Sequence, residues 1–146
     1  MYMVFPSKKD WWLGVIIWGS ALLLIIPPIL FPNFGVWMTP AFLDKQWIKV
    51  ILLGSTGVIL LWIWFRTNYT VKEKTLQITY GPFKKKVNID DIRSIQQTKD
   101  PFTAPALSMD KIEINYASFK IISISPKDKQ TLIQHLLQQN PNIEIK

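Results

Sequence analysis

From Trp11 to Phe31 the chain reads WWLGVIIWGSALLLIIPPILF, 21 residues without a single charge. At about 1.5 Å of rise per residue, a helix of that length reaches across a hydrocarbon core of roughly 30 Å. A helix buried in a soluble core is seldom so apolar on every face. Pro27 and Pro28 lie near the far end of the run, where they free carbonyl groups that neighbours must satisfy. The regular helix is therefore expected to kink or stop about one turn short of its end.

A second apolar run, Trp47 to Phe65 (WIKVILLGSTGVILLWIWF), carries one charge, Lys49, close enough to its start to snorkel outward. Gly54 and Gly57 with Ser55 and Thr56 form a small-residue patch, and Gly14 and Gly19 with Ser20 offer a matching one on the first run. Trp11, Trp12, Trp47, Trp62 and Trp64 cluster near the ends, as interfacial belts do. Residues 1–66 thus read as a membrane anchor with transmembrane helices at about 11–31 and 47–65, and residues 67–146 as a separate domain.

Orientation follows from the basic flanks. Lys8 and Lys9 precede the first span and Arg66, Lys72 and Lys74 follow the second, whereas the loop Pro32–Gln46 holds only Lys45, offset by Asp44. The expectation is a multi-pass protein of the cell membrane with both termini in the cytoplasm. A signal peptide followed by one span fits less well, because the first run is long for a signal core and no small-residue cleavage site follows it.

Beyond Asn68 the period changes. Tyr69-Val71 and Leu76-Ile78-Tyr80 alternate, Tyr80-Gly81-Pro82-Phe83 supplies a turn, and Lys84 to Ile89 continues as a further strand. Asp91 to Thr98, Ile112 to Tyr116 and Phe119 to Ile124 bring the total to about six short strands, the last two joined by a tight Ala117-Ser118 turn. A helix then begins, with Ser125 read as its N-cap, Pro126 at its first position and Asp128 at the third. Leu132, Ile133, Leu136 and Leu137 form its apolar stripe, and Asn140-Pro141 ends it. Sheet and helix each have one apolar face and must cover one another. The resulting fold class is membrane-anchored α+β: an amino-terminal two-helix transmembrane hairpin, then a bent antiparallel sheet closed by a carboxy-terminal helix, the order of a pleckstrin-homology-like (PH-like) domain.

Four stretches, VFPSKKDWWLG, YGPF, APALSMDKIEI and ISISPKDK, carry a resemblance to a family of small Bacillus-type membrane proteins with such a domain. Within it the chain is most similar to proteins that give a producing cell immunity to its own glycosylated, sublancin-type bacteriocin. The resemblance implies a non-enzymatic immunity role, with membrane lipids and the bacteriocin or its membrane target as partners. A membrane-tethered scaffold, or a module that binds anionic lipid, is the alternative.

No catalytic set emerges from the residues. There is no cysteine and only one histidine, His135, in the middle of the closing helix. Asp90 and Asp91 are adjacent, and on a strand would point to opposite faces. Ser108 and Asp110 lack a base in a plausible role. No cofactor or metal is expected. The net charge of +7 favours anionic partners, and the apolar half makes those lipid rather than nucleic acid, since no aromatics interleave with the lysines. Lys84, Lys85 and Lys86 form the densest basic cluster, read either as a contact for anionic headgroups or as a lysine-protected edge strand. In the loop Pro32–Gln46, Phe34, Trp37, Met38 and Phe42 are candidate external contacts or interfacial anchors. The segment TKDPFTAPALSMDKI interrupts the strand pattern with Pro101 and Pro105; Pro105 and Leu107 are candidate partner contacts there, or parts of a rigid corner that aims the next strand into the sheet.

Overall fold

The two apolar runs become helices α1 (Trp11–Leu30) and α2 (Gln46–Phe65) in the computed structural model, which describes residues 2–35, 40–100 and 106–146. Each is long and apolar enough to cross a membrane, and only 11% of each apolar stretch is buried within the protein. They run antiparallel, with close approach at two of the four expected glycines. A Cβ on Gly57 would lie 2.7 Å from Ile25 Cγ1 and 2.9 Å from the Ala21 carbonyl oxygen, and one on Gly14 would lie 3.0 Å from the Trp64 ring. Gly19 and Gly54 face open space.

Of the expected kink or stop, the stop does not occur: Pro27 and Pro28 both lie inside α1. Each has a helical φ but lacks a donor and presses its ring on the carbonyl four residues back, and the turn that follows still closes, with Phe31 N–H donating to the Pro27 carbonyl at 2.8 Å. Gln46 Nε2 donates to the carbonyls of Pro28 and Ile29 at 3.4 and 3.3 Å, tying the end of α1 to the start of α2. Lys49 is not exposed as a snorkelling lysine would be: its side chain is only 3% exposed, and its ammonium meets Asp44 Oδ1 at 2.7 Å and the Pro32 carbonyl at 3.5 Å, both in the loop before α2.

The β-domain comprises two four-stranded sheets. In the first, β2 (Thr67–Lys72), β3 (Thr75–Tyr80) and β4 (Phe83–Asn88) form the expected meander. A strand that the sequence reading did not assign, β1 (Tyr2–Pro6), pairs antiparallel with β2, from Tyr2 opposite Lys72 to Pro6 opposite Asn68. The second sheet runs β7 (Lys120–Ile124), β6 (Lys111–Tyr116), β5 (Ile92–Thr98) and β8 (Glu144–Ile145), with β8 parallel to β5. Asp90 and Asp91 lie in a short 3-10 turn (Ile89–Asp91) rather than on a strand.

Inward-facing residues of both sheets build one core. Phe5, Tyr69 and Ile78 form one cross-strand row and Val71, Leu76 and Val87 another, facing Ile95, Ile112, Ile114, Ile122 and Ile124. Helix α3 (Lys129–Gln139) closes it with Leu132 and Leu136, both fully buried. Its N-cap is Asp128, not Ser125: Asp128 Oδ1 accepts from Thr131 N–H at 3.1 Å. Ser125 is drawn into the interior instead, where its hydroxyl has other partners. The helix ends at Asn140, as the sequence indicated, and the Asn140 amide donates to the buried carbonyls of Ile89 and Ile92 at 2.9 and 3.2 Å.

Candidate interaction site

Three segments far apart in the chain meet where the helical hairpin joins the sheets. The first is Ser7–Asp10, the lead into α1. The second is Leu107–Asp110, just before β6, and the third is Ser125–Lys129, between β7 and α3. Asp10 stands at the start of α1, yet its carboxylate does not cap the helix. Its Oδ1 accepts from the Ser108 hydroxyl and its Oδ2 from Met109 N–H, both at 2.8 Å, while Asp10 N–H donates to the Leu107 carbonyl at 3.0 Å. The helix start thus grips the loop from both sides of one residue.

Beside this grip lies a buried hydroxyl cluster. Ser125 Oγ accepts from Leu107 N–H at 3.0 Å and lies 3.2 Å from Ser7 Oγ, and the Tyr69 hydroxyl lies 3.2 Å from Ser7 Oγ while accepting from Ser125 N–H at 3.1 Å. Ser7, Ser125 and Tyr69 are all buried, and buried polar groups persist only when their bonds are made. On the outer side Asp110 accepts from Lys8 Nζ at 3.0 Å and from Lys129. These two cations, Lys129 first, hold the Asp110 carboxyl below the usual 3.8 against the opposing effect of partial burial.

The arrangement forms a clamp between the three segments. A serine nucleophile needs a base within hydrogen-bond reach, and His135 instead packs edge-on against Phe5, ring centroids 6.3 Å apart, without a hydroxyl partner among the described residues. The hydroxyls spend their bonds on one another and on the backbone.

The candidate contact residues separate in space. Lys84, Lys85 and Lys86 all lie exposed on the edge strand β4, but strand alternation divides them. Lys85 is on the inward row, opposite Ile78, with its ammonium 5.6 Å from the Tyr116 ring centroid. Lys84 and Lys86 are on the outer face, opposite Thr79 and Gln77. The preceding turn rests on the last turn of α2: Gly81 has φ +59, a Cβ there would sit 2.8 Å from Ile63 Cγ1, and its N–H donates to the Arg66 carbonyl at 3.0 Å. Lys84 is therefore near the hairpin and Lys86 two residues farther away. Leu107 is 5% exposed and points inward, making the junction its setting. Phe34 and Phe42 lie exposed at the other end of the hairpin, beyond α1 and before α2. Trp37, Met38 and Pro105 lie outside the described residues.

The clamp was missed in the sequence because each of its pieces is unremarkable alone: a serine, two lysines and an aspartate; a serine-methionine-aspartate; a serine-proline. The available signal was that VFPSKKDWWLG, APALSMDKIEI and ISISPKDK, three of the four stretches that carry the resemblance, contribute its residues.

Two packed layers, antiparallel apart from β8, closed by one amphipathic helix are compatible with a PH-like domain. Residues 67–140 match the family model described as Bacterial PH domain, and the chain belongs to that family. Strand β1 and the helical hairpin lie before the matched region. No curated protein and no solved structure matches the chain.

Proposed function

We propose that the protein is a non-enzymatic immunity protein, anchored in the cell membrane by α1 and α2 with both termini in the cytoplasm, that protects a producing cell against a sublancin-type bacteriocin. The observation that carries this reading is the convergence at the clamp of three of the four stretches that carry the family resemblance. A PH-like domain on a flexible tether would sample many orientations. One locked to its anchor by Asp10, Ser108 and Ser125 presents a fixed face beside the hairpin, which is what shielding a membrane target or meeting a toxin there requires. The basic flanks Lys8, Lys9 and Arg66 support the cytoplasmic placement, and Phe34 and Phe42 at the opposite end of the hairpin are the apolar surface an arriving toxin would meet.

The test is expression in a bacteriocin-sensitive strain, with the inhibitory concentration as the readout. Protection by the wild type is expected, and unchanged sensitivity would remove the reading. A carboxy-terminal reporter should give a cytoplasmic signal; an extracellular one would overturn the topology.

One observation favours a second reading, a lipid-binding module of the same membrane: the turn at Gly81, three residues before Lys84, rests on the end of α2. For it, the outer-face pair Lys84 and Lys86 is the contact, at about 1 kcal/mol per basic residue near an anionic surface. Reconstituted K84Q/K86Q protein should then lose preference for anionic over neutral lipid while K85Q protein keeps it.

A further inference from the structure

A second basic site, separate from Lys84–Lys86, lies where the hairpin emerges from the β-domain. Lys9, just before α1, and Lys127, just before α3, face a cleft of about 270 Å³ that Phe65, the last residue of α2, and Asn68 on β2 also line. The two lysines are 118 positions apart in the chain and are brought together by main-chain bonds: Lys127 N–H donates to the Pro6 carbonyl at 3.0 Å, and Ser7 pairs with Pro126 as a single antiparallel bridge. No carboxylate lines the cleft.

Neither lysine has an acidic partner among the described residues. The contrast with their neighbours Lys8 and Lys129 is sharp, since both of those spend their charge on Asp110. The Lys9 ammonium instead lies 5.3 Å from the Trp64 ring centroid and 5.9 Å from that of Phe65, which fixes it at the end of the apolar span. Burial, and then the charge of Lys127, lower its pKa from the usual 10.5, so the two cations feel each other. Both lysines are exposed along the one cleft, and two cations facing a common space without a counter-charge are stabilised by an anion placed between them. The Asn68 amide, without a partner among the described residues, supplies a further donor on the same wall.

We infer that this cleft binds the phosphate of an anionic phospholipid headgroup. The height of the site selects that source. Phe65 closes α2 and Trp11 opens α1, so the cleft opens at the boundary between the apolar span and the polar domain, where a bilayer places its phosphates. The exposed Phe65 and Trp11 side chains are on hand to contact the upper part of the acyl chains. Two lysines without a carboxylate favour a headgroup of net negative charge, such as phosphatidylglycerol, over phosphatidylcholine, whose ammonium would be repelled.

The inference rests on the membrane reading above, and the experiment separates the two. Full-length protein is first tested for release from cell membranes by alkaline carbonate; release would overturn both the anchor and the site. Protein that stays in the membrane is purified in detergent, and its retention of phosphatidylglycerol and phosphatidylcholine is compared by native mass spectrometry. A preference of about tenfold for phosphatidylglycerol is expected, lost in K9Q/K127Q and kept in K9R/K127R and K84Q/K86Q; circular dichroism checks that each variant is folded. Equal retention of the two lipids, or an undiminished preference in folded K9Q/K127Q, would overturn the site while leaving the anchor intact. Inorganic phosphate is the third arm: if it displaces phosphatidylglycerol at millimolar concentration, the cleft takes a free anion and the lipid assignment falls.

Discussion

Asp10 and Ser108 lie 98 positions apart and are joined by a 2.8 Å hydrogen bond from the serine hydroxyl to the carboxylate. Because Met109 N–H bonds the other oxygen, that single carboxylate holds the loop before β6 against the start of α1. Charged acceptors make the stronger hydrogen bonds, about 1.5–3 kcal/mol each where an unpaired donor is left behind. Asp10→Ala is expected to lower the thermal midpoint of the detergent-solubilised protein by about 4–8 °C, taking roughly 2 kcal/mol and the usual conversion for a chain of this size. A midpoint within one degree of wild type would show that the grip contributes little.

Tyr69→Phe removes one oxygen from the buried cluster. Ser125 N–H loses its acceptor and Ser7 Oγ a neighbour, while the ring stays in the core. The expected cost is about 1–3 kcal/mol, that of a buried polar group left unsatisfied. Denaturant melts in a fixed detergent would measure it, and Ser7→Ala combined with Tyr69→Phe should cost less than the sum of the two single changes, as coupled neighbours do.

Gly54 and Gly57 are three residues apart on α2, yet alanine should act oppositely at the two. At Gly54 the added methyl meets nothing within 4 Å, and replacing a mid-helix glycine gains up to about 1 kcal/mol of helix propensity. At Gly57 it meets Ile25 Cγ1 at 2.7 Å and the Ala21 carbonyl oxygen at 2.9 Å, so the helices must part. Thermal midpoints of G54A and G57A, rising or unchanged for the first and falling for the second, check the packing. The reverse order would mean that the helices meet through another face.

The Asp110 carboxyl titrates below the usual 3.8 because Lys129 and Lys8 stabilise its charged form. A carboxylate with a depressed folded-state pKa contributes stability that is fully present above the unfolded value and lost as pH falls through the folded one. The contribution therefore holds at pH 5–7 and drains away below about pH 4. With a side chain 38% exposed, the group is partly screened, so its worth is at most about 1 kcal/mol. Asp110→Asn should lower stability at pH 7 and flatten the part of the acid-unfolding curve below pH 4; a variant curve parallel to wild type would remove Asp110 from the account.

The hairpin was legible because apolar length is a local property. The runs 11–31 and 47–65 became Trp11–Leu30 and Gln46–Phe65, and the stop expected at Pro27-Pro28 failed, because α1 runs through both prolines to Leu30. The strands from Thr67 to Ile124 were legible through alternation and turns. β1 was not: Tyr-Met-Val-Phe-Pro does not alternate apolar with polar, and its partner lies beyond the hairpin. Ser125 shows a sharper limit. Ser-Pro followed by an acidic residue is a good local cap pattern, and tertiary demand on its hydroxyl by Leu107 and Ser7 moved the cap to Asp128. Of the basic cluster the sequence showed the charge but not its division between two faces, and the clamp and the Lys9–Lys127 cleft are products of chain crossing that no spacing encodes.

The pairing of β1 with β2 also governs how the protein is made. Met3 and Phe5 sit beside Val71 and Tyr69, although the whole hairpin separates them in sequence. β1 leaves the ribosome before its partner and stays unpaired until both helices have been synthesised and β2 follows. Were only one helix to cross a bilayer, β1 and β2 would emerge on opposite sides and the first sheet would lose its edge strand. The Phe5 ring would then find no core to enter. If α1 and α2 cross a bilayer as proposed, completion of the domain is conditional on the hairpin being threaded as a pair, and a mis-threaded chain would betray itself as an unfinished sheet.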